Sequence, residues 1–167
     1  MPIKHILVHV EDEERSKHSL DVALALALTH DAHVTGLGVR TPVYMPAYAA
    51  AQVPPEVFSA FDEEQEAMLS KAEAMFEAKM TAIDWTGRSS WSTGNGDIAT
   101  VIAEKARCSD LVLLRQEDSE RDVGVFENVP DNVILAAGRP VLVIPYIGFG
   151  DRLGSSVLVA WNNTREA

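Results

Sequence analysis

The sequence contains 167 residues, of which 47% are hydrophobic and 23% are charged. This length fits one domain with a short surplus, and the composition can form a buried core, which excludes the disordered and fibrous classes. The formal net charge is −11, and the lysines and arginines are scattered along the chain. Because such a chain repels phosphate backbones and anionic lipids, nucleic acids and membrane surfaces are not expected partners.

Three features predict a cytoplasmic location. Cys108 is the single cysteine, so no disulfide can form within the chain. The longest apolar run, residues 20–28, is interrupted by Asp21 and is far shorter than the ~18 residues that cross a bilayer. The first apolar segment leads directly into acids at 11–14, which is unlike a secretory signal.

The first half of the chain alternates strand and helix patterns. Residues 3–10 are apolar on both parities, which predicts a strand covered on both faces, and a helical stripe over 20–28 follows with Ser16 as its expected cap. Residues 34–39 predict a second strand, in which Gly36 and Gly38 indicate close approach of another backbone or of a ligand. A proline-rich loop over 41–55 precedes a helix over 56–83.

The second half continues the alternation. A strand over 89–93 is followed by a helix that Asp97 can cap, then by a strand over 111–114 and a polar loop over 115–127. A short helix from Val129 would end at Gly138, and residues 141–144 form the fifth strand. Five strands alternating with four helices predict a three-layer, doubly wound α/β domain with a parallel sheet.

The surplus length lies at the end of the sequence. We expect a complete domain over 1–145, a glycine- and serine-containing linker over 146–156, and over 157–167 the first strand of an incomplete second repeat. The segment 157–161 is similar to 6–10 at a constant spacing of 151 residues. Because an apolar strand needs a pairing partner, we expect it to dock on a sheet edge of its own chain or of a neighbour.

Several segments carry a family resemblance that covers residues 3–145. They are the strand 5–10 with an acid after it, the alanine-rich first helix, Gly94 before the third helix, Ser109 and Asp110 before the fourth strand, and the endings NVPDNV at 128–133 and RPVLVI at 139–144. With these features the chain resembles the universal stress protein family. The resemblance implies a Rossmann-like fold of the adenine nucleotide alpha hydrolase type. The similarity of 157–161 to 6–10 resembles the pattern of the tandem family members, which have a second domain.

ATP-binding members of this family have a loop between the fourth strand and fourth helix with the form G-x2-G-x9-G-[ST]. Its glycines let backbone N–H groups approach phosphates. In this sequence the aligned positions hold Arg115, Asp118, Glu127 and Asn128, and the loop is one residue shorter. It also carries five acids against two arginines. The sequence therefore predicts that ATP binds weakly or not at all, and that no cofactor is held.

Several other residues resemble parts of known sites but also have simpler structural roles. Glu11 aligns with an aspartate near adenine and ribose in ATP-binding relatives, but Glu11 and Asp12 can also simply favour the start of the first helix. A phosphoacceptor site is not expected, because the third strand lacks the aspartate and the fifth lacks the following lysine that receiver domains have. His5 and His9 would lie about 13 Å apart on one strand, too far to share a metal. His30 and His33 lack a third ligand nearby.

No nucleophile or dinucleotide motif is present in the sequence, so we expect no enzymatic activity. The resulting prediction is a non-catalytic stress-response module for regulation or interaction. The family resemblance implies a homodimer through the fifth-strand edge, formed by Val141, Leu142, Val143 and Ile144. The alternative is an adenine-nucleotide (ATP) binder with slow or no hydrolysis, using Glu11, Val39, Arg115 and Asn128. A third possibility is half of a tandem protein whose other domain carries the ligand site.

Overall fold

A computed structural model describes residues 2–43, 46, 48, 52–118, 128–148, 154 and 156–162. Strands and helices alternate through these residues. In chain order they are β1 (His5–His9), α1 (Glu13–His30), β2 (His33–Arg40), α2 (Pro55–Ala82), β3 (Ser89–Asn95), α3 (Ile98–Ala106), β4 (Leu111–Arg115), α4 (Val129–Ala136) and β5 (Val141–Ile144), with a short 3₁₀ turn at Thr86–Arg88. Within these ranges, no helix is long and apolar enough to cross a bilayer.

The five strands form one sheet in the order β3-β2-β1-β4-β5, and each paired set is parallel. The predicted doubly wound α/β fold is therefore confirmed. β1 lies at the centre, and the chain builds outward from it first through β2 and then through β4. The carboxyl ends of β1 and β4 thus flank the topological switch point, where ligands of open α/β sheets bind.

Two apolar cores lie on opposite faces of the sheet. Ile6 and Val8 of β1 pack with residues of α1 and α2, such as Leu20 and Phe76. Leu7, between them in sequence, packs in the other core with residues of α3 and α4. Successive strand side chains point to opposite faces, so a strand that is apolar on both parities is covered by helices on both sides.

The helix ends follow local capping chemistry, with one correction. Ser16 does not cap α1 as expected. The Asp12 carboxylate accepts the N–H of Arg15 at 2.8 Å and caps the helix four residues earlier, while the buried Ser16 hydroxyl accepts the N–H of Glu11 at 2.8 Å. The prediction for Asp97 is confirmed, since its side chain accepts the N–H of Thr100 at 2.9 Å.

Gly36 and Gly38 make room for aromatic side chains rather than for a backbone or a ligand, which corrects the sequence-based expectation. A Cβ at Gly36 would lie 2.7 Å from Trp91 and 2.8 Å from Phe76, and one at Gly38 would lie 2.7 Å from Leu69. The rings of Phe76 and Trp91 contact each other with centroids 5.6 Å apart. Because these two positions lack side chains, residues of α2 and β3 can pack directly on the backbone of β2.

The segment 157–161 does not form a strand, and its large apolar side chains are 66–96% exposed. The expectation that it pairs with an edge of this chain's own sheet is therefore wrong. Helices already cover both apolar faces of the sheet, so an added edge strand would leave its own side chains largely in solvent. The division into 1–145, 146–156 and 157–167 stays a prediction, and residues 149–153, 155 and 163–167 lie outside the described part.

We predict that Gly36→Ala destabilises the fold by about 1–3 kcal/mol, because the new methyl group overpacks the Trp91–Phe76 contact. Gly87→Ala is the matched control, since no atom lies within 4 Å of its added Cβ. Urea denaturation of both variants measures the difference. Combining Gly36→Ala with Phe76→Leu should recover part of the loss. Equal stability of the two single variants would contradict this packing role.

Candidate functional site at the carboxyl ends of β1 and β4

Glu11 and Arg115 meet at the switch point. Arg115 is the last residue of β4, and Glu11 follows β1 in the turn that leads to α1. Because β1 and β4 are parallel neighbours, their carboxyl ends lie side by side. Arg115 Nε lies 3.0 Å from Glu11 Oε1, and Arg115 Nη2 lies 3.3 Å from Glu11 Oε2. This two-point ion pair fixes both side chains across the crevice.

Two further basic side chains surround the Glu11 carboxylate. Arg15, in the first turn of α1, places Nη1 3.3 Å from Glu11 Oε2. His9, the last residue of β1, places Nδ1 3.6 Å from Glu11 Oε1 and is only 8% exposed. A carboxylate that faces two guanidinium groups and an imidazole has little attraction left for a cation. The described residues also contain no group of three or more His, Cys, Asp or Glu side chains that could hold a metal ion.

The environment sets the charge states of this cluster. Burial lowers the pKa of His9 below its ordinary value, and the Arg115 guanidinium acts in the same direction, while the Glu11 carboxylate opposes both. Burial alone would raise the pKa of Glu11, but His9, Arg115 and Arg15 favour the ionised form and hold that pKa below its ordinary value. At neutral pH the cluster therefore contains a neutral imidazole and an ionised carboxylate.

Two small recesses adjoin Glu11. One, between Arg115 and the start of α4, has a volume of about 20 Å³. The other, bounded by Val39, Thr41, Met68 and Leu69, has a volume of about 90 Å³. Pockets for drug-sized ligands and cofactors usually measure about 300 Å³ or more. These two recesses can therefore hold waters or a small fragment, whereas a third recess of about 360 Å³ adjoins Arg115 and is bounded by Arg15, Lys17, His18 and Tyr146.

A carboxylate occupies the start of α4. Glu117 accepts the backbone N–H of Asn128 at 2.9 Å and that of Val129 at 2.6 Å. Asn128 has a left-handed backbone with φ of 67°, and its own side chain makes no capping bond. Free N–H groups and the helix dipole make such a position an anion site. Here the protein supplies the anion itself.

The residues predicted from the sequence are partly brought together. Glu11 and Arg115 are bonded to each other, and Val39 lines the larger recess beside Glu11. Asn128 contributes its backbone N–H, which Glu117 accepts. Glu127, aligned with the third loop glycine, lies outside the described residues.

Sequence reasoning missed three contributors, His9, Arg15 and Glu117. The spacing along β1 excludes a metal shared by His9 and His5, but the position of His9 at the end of β1, on the same edge as Arg115, was a usable signal for this site. Arg15 lies four residues after Glu11, a spacing that brings side chains together on a helix. Glu117 lies 11 residues before Asn128 with a loop between them, so the sequence contained no comparable signal for its contact with α4.

Comparison with known proteins identifies the family. The model of the universal stress protein family matches residues 2–145. This match spans most of the sequence, so the chain belongs to the universal stress protein family, as the sequence resemblance predicted. No curated protein sequence matches the chain.

Solved structures of the same family share the fold. The universal stress protein UspA from Lactobacillus plantarum has a TM-score of 0.68 at 17% identity, covering 86% of this chain and 99% of that one. An Arabidopsis thaliana family protein with AMP bound has a TM-score of 0.59 at 17% identity, covering 85% and 91%. One from Archaeoglobus fulgidus in complex with dAMP has a TM-score of 0.51 at 16% identity, covering 86% and 98%.

The lowered pKa of His9 predicts a loss of stability on acidification. The unfolded chain binds a proton at His9 near the ordinary pKa of 6.5, whereas the folded protein binds it at lower pH. The stability that the neutral, buried His9 contributes is fully present above pH 6.5. It is lost as the pH falls through the pKa that His9 has in the folded protein. Glu11 acts in the same direction at more acidic pH, below its ordinary pKa of 4.5.

Urea denaturation at pH 7.5 and pH 5.5 tests this prediction. The fall in the free energy of unfolding between the two values should be smaller in His9→Gln than in the wild type. His30→Gln, which changes a histidine at the end of α1, is the control and should keep the wild-type slope. If His9→Gln has the wild-type pH dependence, His9 does not make the assigned contribution.

Proposed function

We propose that this domain is a non-catalytic regulatory or interaction module of the universal stress protein family that binds ATP weakly or not at all. The observation that supports this proposal is the Glu117 carboxylate on the N–H groups of Asn128 and Val129. The family resemblance implies that in ATP-binding members the corresponding loop and helix start face the phosphates. We also assign the module to the cytoplasm, because a chain with a single cysteine suits a reducing compartment.

A phosphate group at the start of α4 would have to displace Glu117. This displacement would break the two N–H bonds that Glu117 accepts. The displaced carboxylate would remain close to the phosphate. Two like unit charges about 4 Å apart repel by roughly 4 kcal/mol at an effective dielectric of 20. The phosphate gains no additional N–H bonds to offset this repulsion, because it takes over the two that Glu117 makes. The free energy of exchanging Glu117 for a phosphate at the start of α4 is therefore unfavourable.

Arg115 offers little compensation. Its guanidinium is bonded to both oxygens of Glu11. A phosphate that recruits Arg115 would leave the partly buried Glu11 carboxylate with fewer partners, and breaking such a pair costs several kcal/mol. Both steps oppose binding of a triphosphate at the switch point.

Calorimetric titration with Mg-ATP tests the proposal. The wild type should show no saturable binding at micromolar concentrations. Glu117→Gln removes the charge but keeps the side-chain shape, so its affinity for Mg-ATP should increase about tenfold or more. Glu104→Gln, on the exposed face of α3, makes the same change of charge at a remote position and should behave as the wild type. Micromolar affinity of the wild type for Mg-ATP would contradict the proposal.

An adenine-nucleotide binder is the second candidate, because the relatives from Arabidopsis thaliana and Archaeoglobus fulgidus hold AMP and dAMP. A monophosphate would place less charge near Glu117 than ATP does. The ligand would be surrounded by Glu11, Val39, Arg115 and Asn128. A parallel titration with AMP and the absorbance of the purified protein at 260 nm separate the candidates, since bound nucleotide in either measurement favours the second one.

We further propose that the partner is a second copy of the chain, bound through the β5 edge. β5 is the last strand of the sheet and pairs with β4 on one side. Next to it, Ile134 and Leu135 of α4 are 50% and 80% exposed. An open strand edge beside exposed apolar side chains favours association unless another surface covers it.

Light scattering coupled to size exclusion tests this interface. The wild type should be a dimer, and Val143→Lys should shift it to monomer because a charged edge strand opposes pairing. Leu28→Lys, at an exposed position of α1, is the matched control and should remain dimeric. Thermal unfolding checks that both variants are folded. A monomeric wild type, or a dimeric Val143→Lys, would contradict the interface.

A further inference from the structure

Four polar side chains form a hydrogen-bonded cluster at the amino end of the sheet, opposite the Glu11 site. His5 Nε2 lies 2.8 Å from Thr35 Oγ1, and Thr35 Oγ1 lies 3.0 Å from Ser90 Oγ. Ser90 Oγ lies 2.9 Å from His33 Nε2. The cluster spans β1, β2 and β3. It thus brings two imidazole nitrogens and two hydroxyl oxygens to one place on the sheet.

The strand register explains why the imidazoles meet. His5 of β1 is the direct partner of His33 in β2, and Thr35 is the direct partner of Ser90 in β3. Residues paired directly across parallel strands present their side chains on the same face. The ring centroids of His5 and His33 lie 5.2 Å apart.

The Cys108 carbonyl fixes the proton on His5. Its oxygen lies 2.8 Å from His5 Nδ1 and can only accept, so Nδ1 carries the hydrogen. In the neutral ring the lone pair is therefore on Nε2, which faces the cluster. Metal-binding histidines share the first of these contacts, a ring nitrogen that donates to a carbonyl. The Thr35 hydroxyl donates to His5 Nε2, so an ion that binds this nitrogen replaces that hydrogen bond.

The distance between the rings fits a shared ion. Two imidazoles that bind one tetrahedral ion through nitrogens at about 2.0–2.1 Å place their centroids about 5 Å apart. The separation of His5 and His33 is 5.2 Å. The hydroxyls of Thr35 and Ser90 adjoin the two Nε2 atoms, so oxygen donors are also present.

Charge and access suit a cation at this cluster. Both rings are partly exposed, so an ion can reach them from solvent. The nearby ammonium groups are held elsewhere: Lys105 Nζ donates to Ser92 Oγ at 3.1 Å, and Lys4 Nζ donates to the carbonyl of His30 at 3.3 Å. The Asp110 carboxylate accepts the backbone N–H groups of Lys4 and His5 at 2.8 and 3.0 Å, so it lies beside the cluster, and the Arg139 guanidinium acts on it as well.

We propose that His5 and His33 bind one divalent transition-metal ion of the zinc class, with the Thr35 and Ser90 hydroxyls and water completing its coordination. Imidazole nitrogens suit Zn²⁺, Cu²⁺ and Ni²⁺. With two nitrogen ligands in place of the three or four of catalytic and structural zinc sites, the ion is exchangeable and is not needed for folding. The ion site lies at the opposite end of the sheet from Glu11, so ion binding does not depend on whether a nucleotide binds near Glu11.

Titration of chelator-treated protein with ZnCl₂ tests the site. Calorimetry should show one ion bound per chain, and His5→Gln and His33→Gln should each weaken binding at least tenfold. His30→Gln is the matched control, since it removes an imidazole three residues from His33 but outside the cluster. Cys108→Ser should bind like the wild type, because the carbonyl and not the thiol contacts His5.

A measurement on the wild type keeps the proposal testable if a variant fails to fold. In NMR spectra of the imidazole groups, Zn²⁺ should shift the resonances of His5 and His33 and leave those of His9 and His18 in place. Absence of zinc binding, unchanged affinity in His5→Gln and His33→Gln, loss of binding in Cys108→Ser, or shifts at other histidines would each overturn the proposal.

Discussion

The ion pair between Glu11 and Arg115 is the constraint on which the switch point depends. It joins the ends of the two central strands, where an open α/β sheet would otherwise leave a crevice. The pair brings Arg15 and His9 around one carboxylate and separates two recesses that are each too small for a cofactor. Glu117 makes similar contacts within the protein at the start of α4, where it accepts the backbone N–H groups of Asn128 and Val129.

Most of the fold could be predicted because it depends on local patterns. The apolar residues 6–8 identified a strand covered on both faces, and the position of Asp97 identified a helix start. Predictions failed where two local solutions competed. Both Asp12 and Ser16 could cap α1, and the choice depended on where the chain turns after β1. The pattern of 157–161 is typical of a strand, but a strand forms only where a sheet edge is available for pairing. The residues of the segment do not determine whether such an edge exists.

The site was less predictable because its contacts join distant parts of the chain. Glu11 and Arg115 were identified separately through the family resemblance, but their ion pair follows from the adjacency of β1 and β4. The same limit applied to the histidines. Spacing along one strand excluded His5 with His9, whereas His5 and His33 meet through the register between two strands. Pairings of this kind emerge once strand order and register are known.

The close packing against Gly36 and Gly38 of β2 limits which substitutions this region can accept during evolution. Gly36 and Gly38 lack side chains because Trp91, Phe76 and Leu69 occupy that space. A larger residue on β2 is acceptable when a smaller one appears on β3 or α2, and a smaller aromatic partner leaves a void unless β2 fills it. Substitutions here are therefore expected to be accepted in compensating pairs, so that three distant stretches of sequence evolve as one unit.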